Sequence, residues 1–433
     1  MKRSIFLLRA MPIIAIVIAL LSLAPRTAQA GGFQLNEHGA RAMAMGFAVA
    51  SSDGCDVSTL FYNPAGLVYL KNGLSLMVGL TGLLPQATFT GPSNSTPTAT
   101  TNMDLWAFPL PHLYAAYKTE FSGISVAGGV GVFVPFGAGT SWNNNWTGRN
   151  LALRTYLQTI TVNPTIAVGF LENRISIAGG VTISHGSAEL RQRVPNFGVE
   201  PFLNLKGEDN RVSWNAGLVV EPVKGLKIGA AYRHNILMNY NGKATFTLDA
   251  AGTQPLPAGL GNLFADGPGG TSLNLPFDIR TGISYRFSEK FMLEVGLDYV
   301  GWSSYDTLRI RFDKLPGSPS TPGVAINPRN YFNTPTFRIG GEYNATETFK
   351  VRGGAFYDVV PVEARYTQPI LPDANRIGIT AGVGFNINDN LVADVSYMFV
   401  YGLQREVTGS TFNFDGIYNS WANALSVSFS YRF

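Results

Sequence analysis

The stretch from Trp421 to Phe433 sets a period that recurs along the chain. Its odd positions read Trp421, Asn423, Leu425, Val427, Phe429, Tyr431 and Phe433, and its even positions read Ala422, Ala424, Ser426, Ser428, Ser430 and Arg432. Successive side chains of a strand point to opposite faces, so this alternation predicts a strand with one apolar and one small or polar face. The run is longer than most soluble strands and close to the roughly 9–11 residues that cross a bilayer at a tilt. The pattern returns upstream. Leu391, Ala393, Val395, Tyr397, Phe399 and Tyr401 alternate with Val392, Asp394, Ser396 and Met398. Ile377, Ile379, Ala381, Val383, Phe385 and Ile387 alternate with Arg376, Gly378, Thr380, Gly382, Gly384 and Asn386. Phe291, Leu293, Val295, Leu297 and Tyr299 alternate with Lys290, Met292, Glu294, Gly296 and Asp298. Charges keep to one parity. At the bilayer midplane a lipid-facing Arg or Lys costs roughly 2–4 kcal/mol. The apolar faces are therefore assigned to lipid, and Arg, Asp, Glu and Gly to the lumen of a barrel.

Such segments centre near residues 78, 112, 128, 161, 181, 217, 236, 281, 300, 339, 354, 382, 398 and 427, which predicts an all-β fold, an antiparallel transmembrane barrel of about fourteen strands. The connections alternate in kind. Short turns fall at Glu120 to Gly123, Glu172-Asn173, Pro222 to Gly225, Ser288-Glu289, Asn344 to Thr348 and Asn388 to Asn390. Longer polar or Pro/Gly-rich loops fall at about 85–104, 136–150, 191–211, 249–273, 313–333, 360–375 and 406–420. Interleaved short and long connections suit an even-stranded barrel with its turns on one side and its loops on the other.

The first thirty residues read as an export signal. Lys2, Arg3 and Arg9 precede the apolar run Ile13 to Leu23, and Ala28-Gln29-Ala30 has the small-x-small form of a cleavage site. Cleavage is expected after Ala30. This segment carries Lys2, Arg3, Arg9 and Arg26 and no acid, so 28 of the 32 basic residues remain to face 28 acids. The apparent basicity leaves with the signal, and with no basic stripe present no nucleic-acid partner is expected. Only 14% of the chain is charged while 12% is aromatic, and no apolar stretch after the signal approaches the roughly 18 residues of a spanning helix. Lipid offers no water to unpaired backbone groups, which leaves a closed barrel as the spanning solution. Cys55 is the single cysteine; it permits no internal disulfide and reads as a small packed residue.

Residues 31–72 break the strand pattern. They are rich in small residues, with Ala40, Met43, Ala44 and Phe47 at helical spacing, and Asn63-Pro64 reads as a helix start with Asn as cap. The expected organisation is a signal at 1–30, a partly helical plug at 31–72 and a barrel at 73–433.

Several segments resemble the outer-membrane long-chain fatty acid transporter family, FadL and its relatives for aromatic hydrocarbons. They are GFQLNE at Gly32 to Glu37, NPAG at Asn63 to Gly66, SWNAGLVVEP from Ser213, LNLP from Leu273, GWSSY from Gly301, and DVVPVEARYTQPILPDANR from Asp358 to Arg376. Six such pieces in the family's order, ending in Phe433, span nearly the whole mature chain. The resemblance implies a fourteen-stranded barrel closed by an N-terminal hatch, and uptake of hydrophobic molecules by diffusion. Ligand would pass from an outer groove to a pocket beside the hatch and leave sideways where the third strand is kinked. On this basis Phe33 is expected in the pocket, with Asn63, Pro64 and Ala65 as the hatch motif and Val134, Pro135, Phe136 and Gly137 as a lateral gate. Phe197, Phe202, Leu203, Leu256, Leu260, Leu263 and Phe264 would form the outer groove. A carboxylate ligand calls for a basic partner, for which Arg309, Arg191 and Arg193 are the candidates.

The expected partners are a fatty acid or aromatic hydrocarbon, outer-membrane lipid, and the barrel-assembly machinery reading the aromatic C-terminal strand; the chain is expected to act as a monomer. A nonspecific diffusion porin is the runner-up, disfavoured by residues 31–72. An outer-membrane hydrolase or protease is a third class, but His38, His112, His185 and His234 lie in no motif that partners a nucleophile. No cofactor, metal site or catalytic residue is expected.

Overall fold

Alternation of side chains over long runs lets each strand present apolar groups outward while its backbone pairs on both edges, and closure leaves no edge unpaired. The computed structural model describes residues 32–91, 99–195, 200–261, 263–314, 316 and 322–433. The export-signal reading at 1–30 and its cleavage site lie outside the described residues. Among these residues, fourteen antiparallel wall strands form one closed barrel. They are β1 (Gly73–Gly91), β2 (Phe108–Phe121), β3 in two pieces (Ile124–Phe133 and Gly137–Ser141), β4 (Arg154–Phe170), β5 (Ile175–Arg193) and β6 (Phe202–Val223). β7 (Leu226–Arg233 and Ile236–Thr247), β8 (Gly267–Leu275 and Asp278–Arg286), β9 (Phe291–Val300 and Thr307–Phe312) and β10 (Gly323–Pro328 and Thr334–Asn344) are each broken once. β11 (Phe349–Asp358), β12 (Arg376–Asn386), β13 (Leu391–Val407) and β14 (Gly416–Arg432) complete the wall. Closure is direct: β14 pairs with β1 from Ser75–Arg432 to Thr90–Ile417.

The expected faces are realised in the spanning zone. Leu425, Phe429, Tyr397, Phe399, Ile377 and Ile379 are exposed on the outside, whereas Ser426, Ser428, Ser396, Asp394 and Thr380 are buried within. All the expected strand centres fall in wall strands. The short turns fall as read, with Gly123 at φ +77° relieving one of them of side-chain strain. The long loops were overestimated. β5 and β6 run on as a paired hairpin between Arg193 and Phe202, and a short strand Ala99–Asn102 folds back on β1. Above the lipid the sheet continues, because its inward face there is apolar and still has a core to cover.

Residues 32–72 lie inside the ring. Helix α1 (Ala40–Ala44) packs against β11 to β14, and α2 (Thr59–Tyr62) against β3. A 3-10 helix, Pro64–Tyr69, packs against β2 to β6 on the other side. Asn63 caps that helix by accepting from the Ala65 N–H at 3.1 Å. Its amide also donates to the carbonyls of Ala50 at 2.7 Å and Leu218 at 3.1 Å, tying the segment to β6. Gly340 and Gly354 let the wall touch the backbone at Met45 and Gly46, where any side chain would collide.

Buried charges fasten the same segment. Arg41 reaches Glu342 of β10 at 3.1 Å, and Glu342 takes Arg352 of β11 at 2.7 Å. Arg352 reaches Asp394 of β13 at 2.5 Å. Glu294 of β9 accepts from the Ser51 N–H at 2.8 Å and its hydroxyl at 2.6 Å. Buried ions are costly unless each is paired and hydrogen-bonded; Arg41, Glu342, Arg352 and Asp394 meet both conditions, and the Glu294 carboxyl is held by the Ser51 hydrogen bonds. Cys55 is free and half-buried, its thiol 3.4 Å from the Gly66 carbonyl.

Candidate functional site

The third strand stops at Phe133 and resumes at Gly137 because Pro135 supplies no N–H to the ladder. The start of the N-terminal segment fills the interruption. The Leu35 N–H donates to the Pro135 carbonyl and the Gly137 N–H to the Phe33 carbonyl, each at 2.9 Å. Phe136 turns inward, fixed by its N–H to the Thr159 hydroxyl at 3.1 Å. The ladder between β2 and β3 ends at Leu113–Val132, and beyond it the second piece of β3 pairs with β4. On the β2 side of this opening stand Pro109 and Pro111, neither of which has an N–H to offer. Phe108 lies across the break, its ring where a side chain at Gly139 would stand. Trp106 stacks on Tyr156 at 5.6 Å, with the Arg154 guanidinium 4.4 Å from the Trp106 ring.

Phe33 is buried on the inner side of this break. Its ring lies 4.8 Å from Trp302, 5.5 Å from Tyr305 and 6.2 Å from Phe136. Beyond it is a small cavity of about 90 Å³ walled by Leu157, Leu190, Leu205, Leu273, Leu308 and Ile310. A second cavity of about 300 Å³ runs from Leu35, Glu37 and Asp373 to Phe108, Gly139 and Tyr156 at the break. Arg376 and Arg338 also line it, but each is matched by an acid: Arg376 to Asp358 at 2.8 Å, Arg338 to Asp298 at 2.6 Å. Asp373, in the connection from β11 to β12, accepts from the Gly32 N–H at 2.5 Å. Burial pushes its carboxyl up to about 6, with Arg376 pulling the other way.

The three basic candidates do not face these cavities. Arg309 is exposed and Leu308 and Ile310 on either side of it are buried, so Arg309 points outward. Arg191 and Arg193 share the outward parity of β5. Arg191 donates to the Ala250 carbonyl, and Arg193 donates to the Glu200 carbonyl at 3.0 Å and stacks on Phe202 at 4.1 Å. The expectation fails because the pattern inverts above the lipid, where water is outside and the apolar core is inside. A charge there belongs outside for the reason it belongs inside lower down.

The outer-groove candidates divide. Leu203 and Phe264 are buried in the same apolar cluster as Phe33, with Leu256 and Leu263 packed against it. Phe202 joins a separate cluster with Trp142, Trp146 and Phe414. Leu260 lies on the short helix Ala258–Gly261, half-exposed, and Phe197 is outside the described residues. Phe202 and Leu203 belong to β6 rather than to a loop. Residues missed in the sequence include Trp302, Tyr305, Tyr331 and Arg329. GWSSY held the first two, but as a break within β9 they carried no periodicity to mark them.

Arg329 is buried, and among the described residues its Nε and Nη2 have no partner. Its Nη1 donates to the Gln368 side chain at 2.5 Å. The guanidinium lies 5.9 Å from the Tyr305 ring that touches Phe33.

Comparison with known proteins settles the family. Residues 21–433 match the model described as outer membrane protein transport protein (OMPP1/FadL/TodX). The chain belongs to this family. It is an outer-membrane transport channel built as a β-barrel. A long-chain fatty acid transport protein of Escherichia coli O6:H1 is 22% identical over 458 residues, covering 97% of this chain and 98% of the relative. The crystal structure of a Pseudomonas aeruginosa FadL homologue superposes with TM-score 0.79 at 19% identity, over 93% of this chain and 100% of that one. The Pseudomonas putida toluene transporter TodX gives TM-score 0.70 at 15% identity, over 94% and 99%.

Proposed function

We propose that this channel admits long-chain fatty acids by diffusion, along an apolar path that residues 31–72 close as a hatch within the barrel of 73–433. The apolar chamber around Phe33 carries this reading, with the guanidinium of Arg329, which pairs with no acid among the described residues, close behind Tyr305. An acyl chain suits walls of Leu205, Leu273, Leu308 and Ile310. A buried cation without an anion is costly, so a carboxylate reaching Arg329 recovers much of that cost. Such a ligand enters through apolar residues continuous with Phe33, including Leu203, Leu256, Leu263 and Phe264. It leaves sideways past Val134 to Gly137 once Phe33 and Phe108 move. The channel works as a monomer and enters the membrane through its aromatic last strand.

A second reading, a neutral aromatic hydrocarbon as cargo, is favoured by the rings of Trp302, Tyr305 and Tyr331 near Phe33. Binding of oleate and of toluene to the purified channel separates the two. Under the fatty acid reading Arg329→Gln weakens oleate about tenfold or more, the loss of one charge-assisted contact, and leaves methyl oleate unchanged. Tight toluene binding with no oleate binding would reverse the choice.

A further inference from the structure

The outward turn of Arg309 gives it another setting. Ser272 of β8 pairs with Arg309 of β9 on one side and Asn239 of β7 on the other. Two residues further along, Gly270 stands between Arg311 and Asn241 in the same way. Beyond that row, Lys243 of β7 lies opposite Lys206 of β6. These rows follow each other at about 6.8 Å along the strands. Below them the outside of the barrel is apolar: Leu237 of β7 and Val212 of β6 are 52% and 69% exposed. An outward aromatic chain lies lower still, Trp214 to Tyr232 at 5.1 Å, Tyr232 to Phe277 at 6.1 Å and Phe277 to Tyr299 at 6.5 Å. Such belts mark the membrane–water interface. The Arg309 row therefore stands at the height of the lipid headgroups, on the side of the long loops.

The chemistry of this face is that of a phosphate site. Arg309 is exposed and its guanidinium has no partner among the described residues. Arg311 is held in place by neutral groups, donating to the Ser272 hydroxyl at 2.7 Å and the Asn241 side chain at 3.2 Å. The Ser272 hydroxyl in turn donates to Asn239 at 2.8 Å. Acids are present nearby, Glu208 opposite Asn241, Glu189 at 3.8 Å from Lys206 and Asp266 at 3.5 Å from Lys243, but none of them pairs with the two arginines. Beside Arg309 and Arg311 on β10, Ile326 and Val324 are 59% and 50% exposed. Charge and grease thus lie side by side.

We propose that this outer face of β7 to β10 binds the phosphorylated headgroup of an outer-leaflet glycolipid. Arg309 and Arg311 take the phosphate, and Ile326 and Val324 lie against an acyl chain. Planar guanidinium groups match phosphate oxygens better than ammonium groups do. The site is separate from the transport path and does not depend on what the channel carries.

The test is retention of lipid A by the full-length protein purified in mild detergent, read by native mass spectrometry. Wild type is expected to retain lipid A and not its dephosphorylated form. Arg309→Gln and Arg311→Gln each lower retention about fivefold, and the double variant loses it, since a basic group near an anionic headgroup contributes about 1 kcal/mol. Arg432→Gln, at the other rim, leaves retention unchanged. Both arginines are on the surface, and heat-modifiable gel mobility verifies folding. Equal retention by the double variant, or equal retention of dephosphorylated lipid A, would overturn the proposal.

Discussion

At the scale of single residues, what decides a role is which side of the wall a side chain faces, and at what height. Phe33 is inside and Arg309 outside, although the family resemblance implies the pocket for both. Phe33→Ala removes a ring packed on Trp302 and Tyr305, and is expected to lower uptake several-fold while the barrel still folds. Arg309→Ala is expected to leave uptake at the wild-type level; a matching fall in labelled-oleate uptake would place it in the path after all. Asp373 gives a pH signature. Its buried carboxyl sits at about 6 against an ordinary 3.8, so the folded state holds the proton more tightly than an unfolded chain. That stabilisation is full below the ordinary value and disappears as pH rises through about 6. Thermal midpoints of wild type and Asp373→Asn should therefore diverge between about pH 4 and 7, wild type losing ground as pH rises; parallel curves would refute this.

At the scale of elements, the strands were legible because lipid enforces a strict period of two over the spanning stretch, as in Ile377 to Phe385 or Leu425 to Phe433. The height at which the lipid ends was not. Nothing in the alternation of Leu308, Arg309, Ile310 and Arg311 says whether the arginines or the aliphatics face in, and the answer changes at the membrane surface. The site was legible only where a motif marked it, as at Phe33 and Asn63. Arg329 was missed because its isolation from acids is a three-dimensional property. The ion pairs joining the N-terminal segment to the wall give a test of that element. Glu342→Ala strands Arg41 in a buried place and leaves Arg352 to Asp394 alone, at a cost of about 3–5 kcal/mol. The variant should show a lower thermal midpoint and frequent ion-channel openings in planar bilayers. Wild-type stability and silence would mean that these pairs do not hold the segment.

At the scale of the whole molecule, a closed wall with a filled lumen and a third strand interrupted beside the N-terminal segment leaves an apolar route there and, among the described residues, no broad aqueous one. Removing residues 31–72 should convert a silent barrel into an ion-conducting pore; a deletion variant that folds and stays silent would contradict the hatch. Transport through this channel requires hydrophobic cargo to pass Phe33. The most direct measurement is uptake of labelled oleate and toluene by cells whose own transporter is absent, producing either the wild type or Phe33→Ala. Oleate is expected to enter with wild type and to enter several-fold less with Phe33→Ala at equal surface amounts. Entry of small sugars without either hydrophobic probe would contradict it.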